Sequence, residues 1–255
     1  TIFSSYTKVK FNLKSLDIIY NSTNKSLEKN FKNVNKPFFE LSIKGISYKI
    51  HDKGEELFRN VNLDIKKGGF YLIHGKSGSG KSTLFELILG LIKSNSGNIF
   101  LNNENLQNTS LFDQLNIGYV SQDIILFDDT LKNNIELYEK NDYSKKWLSK
   151  VLDVSCLSDF VLKEERSLDF KLIDGGGNLS IGQRQRISLA RTIYKKPDIL
   201  FLDEATSGLD SKTESLILKK IKSLGITVVM ISHNRILSNF SDKTFELQKN
   251  GLKSI

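Results

Sequence analysis

Cysteine is almost absent from this chain of 255 residues. Cys156 stands alone, so no disulfide framework can form within the chain, and no histidine lies near it in sequence to activate a thiol. It reads as a small buried hydrophobe, and the composition suits a reducing compartment. Proline is confined to Pro37 and Pro197, which excludes a collagen-like or proline-rich disordered chain. No apolar run approaches the roughly 18 residues of a membrane span. No signal peptide opens the sequence either, and because it starts on Thr1 rather than methionine it is expected to be a piece of something longer.

Hydrophobic residues make up 39% of the chain, enough for a core of one large domain, or one domain with an appendage. The formal net charge is +8, and much of the excess lies early, from Lys8, Lys10 and Lys14 through Lys49 and Lys53. Such a balance is compatible with nucleotides, nucleic acid or an anionic membrane surface. Scattered lysines are more simply a solvated face, so charge decides little here.

The stretch that decides most is Gly75-Lys-Ser-Gly-Ser-Gly-Lys-Ser82. It fits G-x-x-x-x-G-K-[ST], follows an apolar run at Phe70–His74, and precedes a helical pattern at Thr83–Leu89. Strand, glycine loop and helix together make a phosphate cradle, because backbone N–H groups converge there and the helix start adds partial positive charge. Gly75, Lys76, Ser77, Gly78, Ser79, Gly80 and Thr83 are expected to line it. Lys81 is placed to reach the β- and γ-phosphates, and Ser82 to offer a hydroxyl to Mg2+. A plain flexible Gly/Ser turn does not explain the flanking elements.

Upstream of the loop the pattern is one of short strands. Phe39, Leu41 and Ile43 alternate, as do Ile46, Tyr48 and Ile50, then Val61, Leu63 and Ile65, which predicts an antiparallel region. Downstream, Ile199–Leu202 ends at Asp203-Glu204 and Ile226–Ile231 ends at Ser232-His233, with helical segments at Gln183–Tyr194 and Ser211–Leu224. Apolar strands alternating with helices predict a parallel α/β sheet whose ligand lies at the carboxyl ends of the strands. Asn133–Leu172 is mixed and leans helical. Val9, Leu13, Leu16 and Ile19 recur at helical spacing in Thr7–Tyr20, and Asn21–Ser26 reads as a polar linker.

Asp203 fits a carboxylate that holds Mg2+, and Glu204 beside it fits a general base for an attacking water. In Leu179-Ser-Ile-Gly-Gln-Arg-Gln-Arg186, Ser180 reads as a helix N-cap and Gly182 allows close approach of an anion. An ordinary capped helix is the plainer reading of that stretch.

With these motifs in this order, the chain resembles the nucleotide-binding domain of an exporter-type ABC transporter. The family's L-S-G-G-Q signature is matched by Leu179, Ser180, Gly182 and Gln183, with Ile181 in place of its first glycine. Gln122 matches the Q-loop, which implies contact with Mg2+ and with a transmembrane domain. Ser207-Gly-Leu-Asp210 matches the D-loop, and His233 the switch histidine that senses the γ-phosphate. Ile125-Leu-Phe127, Thr130–Ile135, Gly175–Leu179 and Asp203–Ser207 resemble exporter-type members. His74 stays a packing residue and His51 a loop residue. The family's adenine-stacking tyrosine falls on Ile50 by counting, and Tyr48, two residues earlier on the same strand face, either substitutes for it or the stack is lost.

The resemblance implies an α/β P-loop NTPase of the ABC-cassette fold. It would have a RecA-like parallel-sheet core, an antiparallel β subdomain and a helical subdomain near residues 125–190, all within 37–255. Residues 1–36 resemble the cytoplasmic end of a last transmembrane helix with its linker. Within them, Phe11–Tyr20 faintly resembles that region of lipid-linked oligosaccharide flippases and protein-glycosylation exporters. The implied activity is ATP hydrolysis with Mg2+ at the cytoplasmic face of the inner (plasma) membrane, driving export or flipping of a lipid, lipid-linked saccharide or peptide. The implied partners are a second nucleotide-binding domain, as a homodimer of half-transporters, and a transmembrane domain of the same polypeptide. No nucleic acid is expected. The alternative is a soluble ABC ATPase acting on nucleic acid or the ribosome, which the basic charge permits. A kinase or GTPase leaves the Ser180 stretch without a role.

Overall fold

The computed structural model describes residues 37–50, 54–106, 110–137, 144–162 and 167–255. All of them fall in one unit running from Asn35 to Ile255. The expected helix at Thr7–Tyr20, the linker after it, the whole 1–36 segment and His51 lie outside the described residues.

Two sheets organise the chain. β1 (Glu40–Ile50), β2 (Glu55–Lys66), β4 (Ser96–Leu101) and β5 (Glu104–Asn105) form an antiparallel sheet in the order β2-β1-β4-β5. β3 (Phe70–His74), β6 (Ile117–Val120), β7 (Ile199–Asp203), β8 (Thr227–Ile231), β9 (Lys243–Gln248) and β10 (Gly251–Ser254) form the second, in the order β10-β9-β3-β8-β7-β6. In that sheet β9, β3, β8, β7 and β6 run parallel, and β10 pairs antiparallel with β9.

The helices are α1 (Lys81–Leu89), α2 (Leu131–Glu136), α3 (Lys145–Val154), α4 (Ser158–Leu162), α5 (Ile181–Tyr194) and α6 (Ser211–Ser223). Four of them, α2 to α5, fall within the 125–190 stretch or start there. Among the described residues no helix is long and apolar enough to cross a membrane.

The central strands β3, β7 and β8 are buried at every position because each face meets a different core. Phe70, Leu72, Leu200, Leu202, Val228 and Met230 join Val151, Ile187, Ile193 and Ile217 of the helices. Their alternates Tyr71, Ile73, Ile199, Phe201, Val229 and Ile231 join α1 and the antiparallel sheet. Period-two side-chain alternation thus divides one continuous apolar run between two cores. Phe85 of α1 meets Phe201 edge to face, centroids 5.1 Å apart.

The antiparallel sheet departs from simple alternation. Phe39 is 62% exposed, and its neighbour Phe38 is buried instead. Leu41, Ile43 and Ile46 are all buried, although Ile43 and Ile46 are three residues apart. A bulge at Gly45, with φ of 67°, inserts the extra residue and returns Ile46 to the core face. Gly97 of β4 lies directly against it: a methyl group there would stand 2.5 Å from the Gly45 carbonyl carbon.

Sheet order places the chemistry. β8 lies between β3 and β7, so the segment after β8 emerges between the glycine loop and Asp203. The carboxyl ends of these three strands form one edge.

Candidate active site

Helix α1 starts on Gly80, at φ 91°, with no side-chain cap. By contrast, Thr130, Ser144, Ser180 and Asp210 cap α2, α3, α5 and α6 with their own side chains. The first-turn N–H groups of α1 therefore face outward for an anion rather than being closed off locally. Gly80 is demanded by more than its backbone angle, since Leu57 and Phe58 of β2 pack where a side chain would begin.

Lys81 arches back over this loop. Its Nζ donates to the carbonyls of Gly75 and Lys76, both at 3.0 Å. Burial lowers its pKa, and the charges of Glu204 and Asp203 pull the other way. The ammonium is thus held where a phosphate arrives and is weakly hydrated before it does.

Asp203 ends β7 and is buried. Burial raises its pKa, while a hydrogen bond from Ser82 pulls it down. Tyr119 of β6 lies 3.5 Å from its Oδ2, and the Tyr119 hydroxyl is pushed up to about 12 by burial and by that carboxylate. The other oxygen, Oδ1, is buried with no partner. An orphaned carboxylate oxygen next to a hydroxyl fits a divalent cation. Among the described residues no cluster of three or more His, Cys, Asp and Glu side chains could hold a metal alone. A cation at Asp203 and Ser82 would need phosphate oxygens to complete its shell, which is the usual binding mode of Mg2+.

Glu204 follows in a left-handed conformation at φ 50°, uncommon for a non-glycine residue. Its backbone N–H donates to the Ile231 carbonyl, and its Oε1 lies 2.9 Å from Nε2 of His233. His233, Glu204, Asp203, Ser82 and Lys81 thus gather at one edge.

The remaining expected site residues sit further out. Gln122 is exposed on the bend after β6, and the side chain that reaches Asp203 is Tyr119. Tyr48 is half-buried against the antiparallel-sheet core and pairs across it with Phe58, whose ring lies against Gly80. Ser180 and Gln183 bond each other, Gln183 N to Ser180 Oγ at 3.2 Å and Ser180 N to Gln183 Oε1 at 2.9 Å. Both are directed to α5's own start, as a capping box. Ile181 is 59% exposed at the first position of α5, with a methyl group packed against Gly208. The β-branched residue is accommodated because it points outward from the helix start.

His74 is the buried packing residue expected of it. Its Nδ1–H donates to the Ser232 carbonyl at 2.7 Å, and Nε2 is buried without a partner. Burial lowers its pKa, partly offset by the Ser232 carbonyl. Below the ordinary histidine pKa the unfolded chain therefore binds a proton that the folded chain refuses. Stability from this site is complete above about pH 6.5 and falls as pH drops through it. Urea midpoints from pH 7.5 to 5.5 are expected to fall more steeply in the wild type than in His74→Gln. Parallel slopes would contradict the assignment.

Several residues at the site were not singled out by motif. Gln185 is buried; its Nε2 donates to Ser207 Oγ at 3.2 Å and its Oε1 accepts from Gly208 N at 2.9 Å. Arg191, also on α5, donates to the carbonyls of Asn134 and Ile125 and to Asn134 Oδ1, and stacks on Phe127.

A P-loop, an acidic strand end, a histidine after the next strand and a serine-capped helix on one α/β sheet define an ATP-binding cassette. The profile of the ABC transporter family matches residues 58–207, and the chain belongs to that family. It is similar to the microcin-J25 export ATP-binding/permease protein McjD of Escherichia coli, 42% identical over 216 residues that cover 83% of this chain and 37% of that protein. The ATP-dependent lipid A-core flippase of Pasteurella multocida is 34% identical over 84% of this chain and 37% of its own length. A bacterial Atm1-family ABC exporter solved with ATP bound superposes with a TM-score of 0.77 at 26% identity, covering 85% of this chain and 38% of that one. The chain therefore spans little more than a third of the relatives it matches, and it is their ATP-binding part that it resembles.

Proposed function

We propose that this chain is the ATP-hydrolysing engine of an exporter-type ABC transporter. The observation that carries the reading is the convergence of Lys81, Asp203, Glu204 and His233 at the edge where α1 opens uncapped. The P-loop amides and Lys81 bind and orient the triphosphate. Ser82 and Asp203 would hold Mg2+, which when bound would supply neutralisation of phosphate charge. Glu204 accepts the proton of the attacking water, and His233 keeps the Glu204 carboxylate and the γ-phosphate in line. We assign to Gln122 the role of reporter to a transmembrane domain and to Tyr48 that of stacking on the adenine.

The signature residues Ser180, Gly182 and Gln183 bond to their own helix and not to the P-loop of the same chain. We read them as completing the site of a second copy, so that two ATPs are sandwiched head to tail. Closure then drives a transmembrane part of the same polypeptide at the cytoplasmic face of the plasma membrane. The names of the relatives favour export or flipping of a peptide or lipid as the work done.

The test is complementation between two inactive forms. Lys81→Ala and Ser180→Arg are each expected to abolish hydrolysis, and mixing them is expected to restore it, because half of the sites in a mixed pair are intact. A mixture as inactive as its components would remove the shared site. Activity in Ser180→Arg alone would do the same.

A further inference from the structure

Glu214 lies in the first turn of α6 and is only 6% exposed. An acidic residue there suits the helix dipole, but the dipole does not require burial. Its carboxylate is spent on two neutral donors from two loops. Thr206 Oγ1 donates to Oε1 at 2.6 Å, and Asn234 Nδ2 donates to Oε2 at 3.2 Å.

Each donor adjoins a residue of the reacting centre. Thr206 lies two residues after Glu204, and Asn234 directly follows His233. Thr206 is itself buried and lies within the turn that carries Glu204, which Ser207 N closes by donating to the Glu204 carbonyl at 3.2 Å. Asn234 is tied on both sides: its N–H donates to Ser232 Oγ, and its Oδ1 accepts from Ile236 N, both at 3.1 Å. Glu204 also holds a left-handed backbone, which persists only where its surroundings over-determine it.

We propose that Glu214 is a positioning residue for hydrolysis: it clamps the two loops that carry Glu204 and His233 and so fixes the 2.9 Å pairing of those side chains. The proposal rests on reading the chain as an ATPase. Glu214 touches neither nucleotide nor water in this scheme and acts through the other two residues.

The chemistry of the clamp predicts which substitution is tolerated. In Glu214→Gln the amide oxygen accepts from Asn234, and the amide nitrogen donates to Thr206, whose hydroxyl can take either role. Glu214→Ala leaves both donors unmatched and lets the loops separate. A misplacement of about 1 Å at reacting groups costs on the order of 100-fold in rate.

ATP hydrolysis, equilibrium ATP binding and thermal midpoint are to be measured on the 255-residue chain and on the same variants in the intact transporter. Glu214→Ala is expected to lower kcat about 100-fold while its Kd for ATP stays within about threefold. Glu214→Gln is expected to recover most of that loss. In a Glu204→Gln background, Glu214→Ala should lower residual turnover far less than in the wild type, since one of the two groups it positions has lost its function. Asn234→Ala, at a half-buried position, is expected to reproduce the selective fall in kcat and carries the test if Glu214→Ala does not fold.

Unchanged kcat in Asn234→Ala and Glu214→Ala would overturn the proposal while leaving the ATPase reading in place. A proportional fall of kcat, ATP affinity and thermal midpoint would also overturn it, as the mark of a purely structural residue. A wild-type chain that hydrolyses no ATP in either setting would overturn both together.

Discussion

Lys81→Ala is expected to weaken ATP binding roughly 100-fold and to bring hydrolysis to background, because a charge-assisted hydrogen bond contributes about 1.5–3 kcal/mol and an ammonium serves more than one phosphate oxygen. The side chain is pre-placed by the carbonyls of Gly75 and Lys76, so little ordering remains to be done on binding. Its partial desolvation strengthens the attraction for the incoming anion, and the nearby Glu204 and Asp203 charges offset part of the downward shift that burial gives its pKa. The fold should survive the change, since Lys81, although buried, belongs to neither apolar core. Titration with a fluorescent ATP analogue, alongside a phosphate-release assay and a thermal melt, separates these effects. Full-strength ATP binding by the variant would remove the P-loop from the site.

Glu204→Gln is expected to leave binding intact. Its amide oxygen can still accept from His233 Nε2, so the geometry of the pair is kept while the base is lost. Turnover should drop by about 10²–10⁴-fold, the usual contribution of a positioned general base. ATP affinity should hold, and ATP should then drive a long-lived dimer visible by light scattering, because the step that reopens it no longer occurs. Hydrolysis at the wild-type rate would take the base role from Glu204. A monomer at saturating ATP would count against the sandwich.

The parallel sheet was legible because its central strands are apolar runs and its motifs stand at their ends. Phe70–His74 coincides with β3, and Ser180 caps α5 as its position before Ile187, Ala190 and Ile193 suggested. The antiparallel sheet was only half legible. Alternation extended back to Phe39 fails because Phe39 precedes the start of β1, and the step from Ile43 to Ile46 breaks because Gly45 bulges the strand, which no local periodicity announces. The P-loop, Asp203 and His233 were visible as motifs. Tyr119, Gln185, Glu214 and Asn234 were not, because their partners lie on other elements. A bond such as Thr206 to Glu214 exists only once the loop has folded back on α6.

The bare start of α1 ties holding nucleotide to staying folded. The starts of α2, α3, α5 and α6 are finished by their own side chains, but that of α1 is left open for a phosphate group, which would act as a cap supplied from outside. Anything that binds only the folded form raises its stability, by about 2.7 kcal/mol at a hundredfold excess over Kd. In a cell where ATP far exceeds its dissociation constant, the same loop that feeds the reaction also protects β3 and α1 from opening. Loss of ATP would then register first as exchange of backbone amide hydrogens at residues 75–84, well before the sheet behind them gives way.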